Sequence, residues 1–405
     1  MTKNNNIINW IKKFLKRFLI LLFFIIILAN LLIILSGKTY LYKGIQETYL
    51  KGKSGPGIYD SLVFERRFIN ASENPSSWEK SAFEAAITDS LLQELDALET
   101  SSFLVAKNGE IIFEKYWDSH DVLMKSNSFS VAKSIVGLLI GIAIDKGYIK
   151  SFDEPITNYL DYFEPKDSVV TIRHLLNMTS GLDWTESSSN PLSENAAAYY
   201  GSNLEKLMRS LSFSRKSDKR FIYKSGNSQL LGFILEKATG QKISHFMQEH
   251  LWSKIGAESN AFWSLDQKDG VEKSFCCLYA TTRDYAKLGQ LILNDGKWNE
   301  DTVISSSTLN QIIDFSKINK GKKINYRYGL HYWLVNHPQH KIIYARGILG
   351  QYIITIPEKD IVIVRTGHKR KDKQQNLKGT NAYKNDHPDD LFLYLEIANA
   401  LLSID

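Results

Sequence analysis

Ser130 and Lys133 stand three residues apart in the stretch Phe129-Ser130-Val131-Ala132-Lys133-Ser134. On a helix that spacing puts hydroxyl and amine on one face, one turn apart. A helix that begins at Ser130 also places the hydroxyl among the unpaired N–H groups of the first turn, where negative charge is favoured. A serine nucleophile needs that set: a base within reach and donors for a developing oxyanion. The run that follows, from Ile135 to Ile144, is apolar on every face, and such a helix is buried in a core. A buried lysine is costly when charged and shifts its pKa toward neutrality, which suits Lys133 to the part of a base. The plainer reading of Ser130 is an N-cap. The same spacing recurs at Ser77 and Lys80, ahead of the amphipathic stretch Phe83 to Leu98, and there it reads as an N-capped helix start.

A second group is Phe221-Ile222-Tyr223-Lys224-Ser225-Gly226-Asn227, leading into a helix expected over Leu230 to Ala238. A tyrosine beside a lysine of lowered pKa can act as a phenolate base or relay the nucleophile's proton. Alternatively Tyr223 packs at a loop–helix junction. Tyr383-Lys384-Asn385 repeats part of the pattern, but lies in a basic polar insertion (368–390) expected to be mobile, a poor base for catalytic geometry. A third group is Tyr344-Ala345-Arg346-Gly347-Ile348-Leu349-Gly350. Its glycine-bracketed turn lets backbone approach a ligand, and an N–H there would complete an oxyanion hole with that of Ser130. An ordinary β-bulge fits the same residues.

The elements that must position these groups can be read from the rest of the chain. Its 405 residues are 43% hydrophobic, enough for one large domain or two lobes. Five of the basic residues behind the net charge of +6 fall in the first 17 positions. The remainder is near balance, so no nucleic-acid footprint is indicated. Phe18 to Leu35 is apolar apart from Asn30, about the length that spans a bilayer. No small-x-small cleavage site follows, and the basic flank belongs in the cytoplasm. The expectation is a basic flank (1–17), an uncleaved transmembrane anchor (18–36), a stalk or lead-in (37–84) and an extracytoplasmic domain (85–405). Asn108-Gly109 joins two β-type runs as a hairpin. Further strands are expected over 328–335, 341–345, 352–356 and 361–366, and a last helix over 390–404. Strands at both ends imply one antiparallel sheet with flanking helices and an inserted helical lobe (about 151–270), an α+β arrangement with Ser130 in the cleft and the 185–203 loop at its mouth. Cys276 and Cys277 are neighbours, read as two small buried side chains. No Gly-x-Ser-x-Gly elbow, metal-spaced histidine pair or phosphate loop appears, so no metal and no cofactor is expected.

Taken together, Ser130-x-x-Lys133, Tyr223-x-Ser225 and the Gly347/Gly350 segment resemble the serine beta-lactamase-related hydrolases. The similarity is to the branch of class C beta-lactamases, esterases and nylon-oligomer (aminohexanoate) hydrolases. Thr171-Ile172-Arg173-His174-Leu175-Leu176 through Gly181-Leu182, and Thr281-Thr282-Arg283-Asp284-Tyr285-Ala286, extend it over roughly 85–400. The resemblance implies the beta-lactamase/transpeptidase-like fold and an amide or ester substrate. It implies Ser130 as acylated nucleophile, Lys133 and Tyr223 as general base and acid, and the N–H groups of Ser130 and Ile348 as oxyanion hole. Ser225, Arg346 and Gly347 would line the substrate. Two departures weigh against efficient beta-lactam turnover. Ser225 stands where asparagine often closes the second motif, and no Lys or His opens the third, where Arg346 supplies charge. A cell-wall D-amino-acid peptidase or beta-lactamase is the alternative enzyme. A catalytically idle relative that binds wall fragments or a partner protein is the other.

Overall fold

The computed structural model describes residues 2–82, 87–187, 189–315, 327–337, 339–371, 384 and 386–402. In chain order the strands are β1 (Arg66–Ile69), β2 (Glu79–Lys80), β3 (Thr100–Lys107), β4 (Glu110–Tyr116), β5 (Ser126–Asn127), β6 (Ala261–Ser264), β7 (Leu278–Ala280), β8 (Lys297–Trp298), β9 (Asp301–Thr302), β10 (Trp333–Asn336), β11 (Lys341–Gly347), β12 (Gln351–Ile356) and β13 (Ile361–Gly367). The main sheet has seven strands in the order β10-β11-β12-β13-β3-β4-β2. The C-terminal hairpins thus pair with the N-terminal one through β13 and β3, Val364 opposite Leu104. The expected sheet from both ends of the chain is this one, antiparallel except at its edge, where β2 pairs parallel with β4. Asn108 and Gly109 turn β3 into β4 with φ of 52° and 80°, the left-handed pair that a two-residue hairpin favours.

Why these strands read as unbroken apolar runs is clear from their two faces. Leu104, Ala106, Val362, Val364 and Ile353 point into one core. Their neighbours Phe103, Val105, Ile361, Ile363 and Ile354 point into another. Side chains alternate along a strand, so a sheet covered on both sides is apolar at every position. The helices α1 (Thr2–Leu35), α2 (Tyr40–Glu47), α3 (Asp89–Ala97) and α4 (Val131–Asp145) come first. Seven more lie between β5 and β10: α5 (Ile172–Leu176), α6 (Glu194–Tyr200), α7 (Leu204–Arg209), α8 (Ser225–Thr239), α9 (Ile243–Met247), α10 (Thr282–Leu293) and α11 (Ser306–Ile312); α12 (Asp389–Leu402) closes the chain. Helices α10 and α4 cover the first face of the sheet, and α3 and α12 contribute to the second core.

Several expectations change. Ser77 caps no helix: Glu79 and Lys80 pair with β4 at the sheet edge, and α3 is capped by Thr88, whose hydroxyl accepts from Leu91 N–H at 3.4 Å. Helix α8 starts at Ser225, five residues before its apolar pattern, and ends at Gly240 with φ 70°. A second sheet, β1-β6-β7-β5, draws only β6 from the stretch expected to form a helical lobe, and its strands of two to four residues give no periodic signal. The region read as a stalk folds back on the domain: Gly44 of α2 sits against the Tyr200 ring, and Tyr40 donates to Pro191 O at 3.2 Å. Cys276 and Cys277 are buried and bonded to each other. Tyr383 and Asn385 lie outside the described residues.

Helix α1 is long and apolar enough over Ile7–Leu35 to cross a membrane, and none of its apolar window is buried against the protein.

Candidate active site

Ser130 is the N-cap of α4 and its side chain makes no capping bond, which leaves the hydroxyl free for other partners. The chain is held rigidly on its approach. Ser128 N–H donates to Leu278 O at 2.8 Å, and Phe129 N–H to Asn127 Oδ1 at 2.9 Å. Phe129 itself has φ 43°, a conformation non-glycine residues adopt at a cost and that clusters at functional sites.

One turn along α4, Lys133 is wholly buried. Its Nζ lies 2.9 Å from Ser130 Oγ and 2.7 Å from the carbonyl oxygen of Phe275. Burial brings its pKa from the ordinary 10.5 to about 8, opposed by the charge of Glu186. A lysine tuned this way has a sizeable neutral fraction near physiological pH. Tyr223 arrives from the segment before α8, with its ring centre 5.3 Å from Lys133 Nζ, and lines the same cavity as Ser130. Its ring stacks on Trp333 at 5.8 Å between centroids and meets Tyr328 edge-on. Burial, with Glu186 adding to it, raises the phenol above its ordinary value against the opposing pull of Ser130 and Arg346. The hydroxyl is therefore protonated at rest, so the geometry fits a proton relay and not a standing phenolate.

The third group comes from the end of β11. A Cβ at Gly347 would fall 2.4 Å from Ser128 O and 3.1 Å from Phe129 Cβ, so the strand runs directly against the residues ahead of Ser130, and only glycine fits there. The turn beyond it, with Leu349 at φ 61° and Gly350 at φ 85°, has its carbonyls drawn back into the sheet. Buried Arg365 donates to Leu349 O and Gly350 O at 2.9 Å each, and Gln351 to Ile348 O at 3.1 Å. Arg346 lies 4.4 Å over the Trp333 ring. Ser130, Tyr223, Ser225, Arg346, Gly347 and Ile348 all line one cavity of about 750 Å³.

Ser225, expected to face substrate, gives both its N–H and its hydroxyl to Glu186, each at 2.7 Å. Sequence reasoning missed Glu186, Arg365 and the Phe275 carbonyl. Only Glu186 left a trace, in the polar loop placed at the cleft mouth. The wall contributed by α2 and the disulfide at Cys276, which touches the cavity, were missed as well.

The beta-lactamase family model matches residues 88–382. The chain is 26% identical over 250 residues to the 6-aminohexanoate-dimer hydrolase of Paenarthrobacter ureafaciens, a match covering 55% of this chain and 59% of that protein. A Bacillus anthracis structure named for the same hydrolase superposes with TM-score 0.71 at 20% identity, covering 84% of this chain and 92% of that one. A class C beta-lactamase variant superposes with TM-score 0.57 at 15% identity, covering 78% and 95%; these two likenesses concern the fold.

Proposed function

This chain belongs to the beta-lactamase family and is a serine hydrolase, and on that premise we propose that it cleaves a linear amide or ester through an acyl-enzyme on Ser130. The observation that carries the reading is the Lys133 amine 2.9 Å from the Ser130 oxygen, with Tyr223 beside both, its ring centre 5.3 Å from that amine and its side chain lining the same cavity as Ser130. Neutral Lys133 takes the hydroxyl proton as Oγ bonds to the substrate carbonyl carbon. The negative charge that develops on the carbonyl oxygen is held by the N–H groups of Ser130 and Ile348. The proton passes through Tyr223 to the departing amine or alcohol, and the tetrahedral species collapses to the ester. Water then adds to that ester, its proton returns by the same pair, and the acid is released. Arg346 and Gly347 bound the substrate; Ser225 acts by fixing Glu186. Helix α1 anchors the chain, with the hydrolase domain on the extracytoplasmic side.

A fluorophosphonate probe tests this reading. Mass spectrometry should place a single adduct on Ser130, and Ser130→Ala should remove both adduct and ester turnover. Labelling of the variant at the wild-type rate would overturn the assignment. Arg346 beside the cavity also suits a substrate carboxylate, which keeps a D-amino-acid peptidase or beta-lactamase as the second reading. Turnover of nitrocefin or of a D-alanyl-D-alanine peptide in preference to simple esters would favour it.

A further inference from the structure

The cavity over Ser130 has two walls of different origin. One is the catalytic domain, with Phe129, Tyr223 and Gly347. The other is the segment that follows the apolar helix, with Tyr40, Leu41, Ile45 and Tyr49. Four residues, 36–39, separate α1 from α2, and Tyr42 of α2 donates to Asn30 Oδ1 of α1 at 2.9 Å. Asn30 is five residues from the end of α1, roughly 7.5 Å along its axis. With α1 in a bilayer, the cavity wall begins at the membrane surface. The rim is apolar and wet: Ile45 is 40% exposed, Tyr49 65% and Ile348 40%. Leu50, next to Tyr49, is 77% exposed. Contiguous exposed apolar side chains at the mouth of a site mark what the site receives.

We propose that the substrate of this site is an amphiphile, an ester or amide bearing an apolar chain of about eight carbons or more, taken up at the membrane surface with the chain lodged against Leu41 and Ile45. These two residues are four apart and share a face of α2. The proposal rests on the hydrolase reading of Ser130 and on α1 as a membrane anchor. It names the acyl part of the substrate: Ser130 accepts the fatty acyl group, the head-group alcohol or amine leaves with the relayed proton, and water frees the fatty acid.

The test uses the full chain in phosphatidylcholine nanodiscs with 4-nitrophenyl acetate, butyrate, octanoate and laurate. The expected kcat/KM rises at least about tenfold from acetate to octanoate. In Leu41→Asn/Ile45→Asn the octanoate-to-acetate ratio drops at least about fivefold. Partition of the esters into the bilayer is the same for both proteins, so the change in ratio reads the cavity wall. A flat or falling chain-length profile in the wild type overturns the proposal, as does a ratio unchanged in the variant. Turnover of acetate with a flat profile leaves the hydrolase reading standing, whereas failure of every ester together with absence of a fluorophosphonate adduct on Ser130 removes both.

Discussion

Ser225 holds Glu186 at two points, N–H to one carboxylate oxygen and hydroxyl to the other, each at 2.7 Å. The carboxylate so fixed acts on Lys133 and on Tyr223, the two groups proposed to move the proton. It works against burial at Lys133 and with burial at Tyr223. The residue that departs from the family's asparagine thus sets the charge environment of the cavity.

The first prediction concerns pH. Lys133 must be neutral to accept a proton, and its pKa is about 8. Rate should therefore climb with pH through that value and level off above it, Tyr223 staying protonated throughout. Glu186→Gln removes the charge that favours the ammonium, so Lys133 loses its proton at lower pH. A pH series of fluorophosphonate labelling should show the acid limb displaced downward, and a limb fixed in place or moved upward would contradict the electrostatic account.

The relay can be tested at Tyr223. Tyr223→Phe keeps the ring on Trp333 but removes the hydroxyl, and should lower kcat by about a hundredfold with little effect on Tm. Lys133→Ala should cost at least as much. A Tyr223→Phe enzyme of normal kcat would show that the proton takes another route.

Lys133 is also a statement about stability. Its folded pKa, about 8, lies below the ordinary 10.5. Between those values the unfolded chain binds more protons, so stability rises with pH across that window and the charged amine costs about 3 kcal/mol below it. Lys133→Met should leave Tm at pH 7 unchanged or higher, even though the Phe275 carbonyl loses a donor at about 1–3 kcal/mol, and activity should vanish. A fall of several degrees in a thermal melt would refute this.

Gly347→Ala is predicted to do damage out of proportion to one methyl group. The new Cβ meets the Ser128 carbonyl at 2.4 Å, and neither backbone can yield without moving Phe129 and Ser130. Overpacking of this kind costs about 1–3 kcal/mol. Labelling of Ser130 should slow at least about tenfold; wild-type labelling kinetics would mean the strand has room.

What the sequence made legible is what lies close together along it. Ser130 and Lys133 share a helix, Asn108-Gly109 is a local turn, and strands buried on both faces advertise themselves as apolar runs. Helix α8 was read five residues short because its first turns bury polar side chains. Asn227 accepts from Ser180, Ser228 bonds His331, and Gln229 donates to Glu272 O, so satisfied hydrogen bonds stand where an apolar pattern was sought. The Phe275 carbonyl that shares Lys133 is backbone and has no residue signature. Arg365 looks like any strand arginine until the turn at 348–350 is folded around it.

Helix α2 has a consequence for where this enzyme can be divided. A soluble form that begins at residue 57, just past the mixed Tyr, Gly and Pro stretch, would leave the crevice above Ser130 open along one flank and uncover the ring face of Tyr200 that Gly44 packs against. One that begins at residue 38 would keep that flank while shedding the apolar helix. Activity measured on the shorter fragment would describe a gaping cleft and would understate the selectivity of the intact protein.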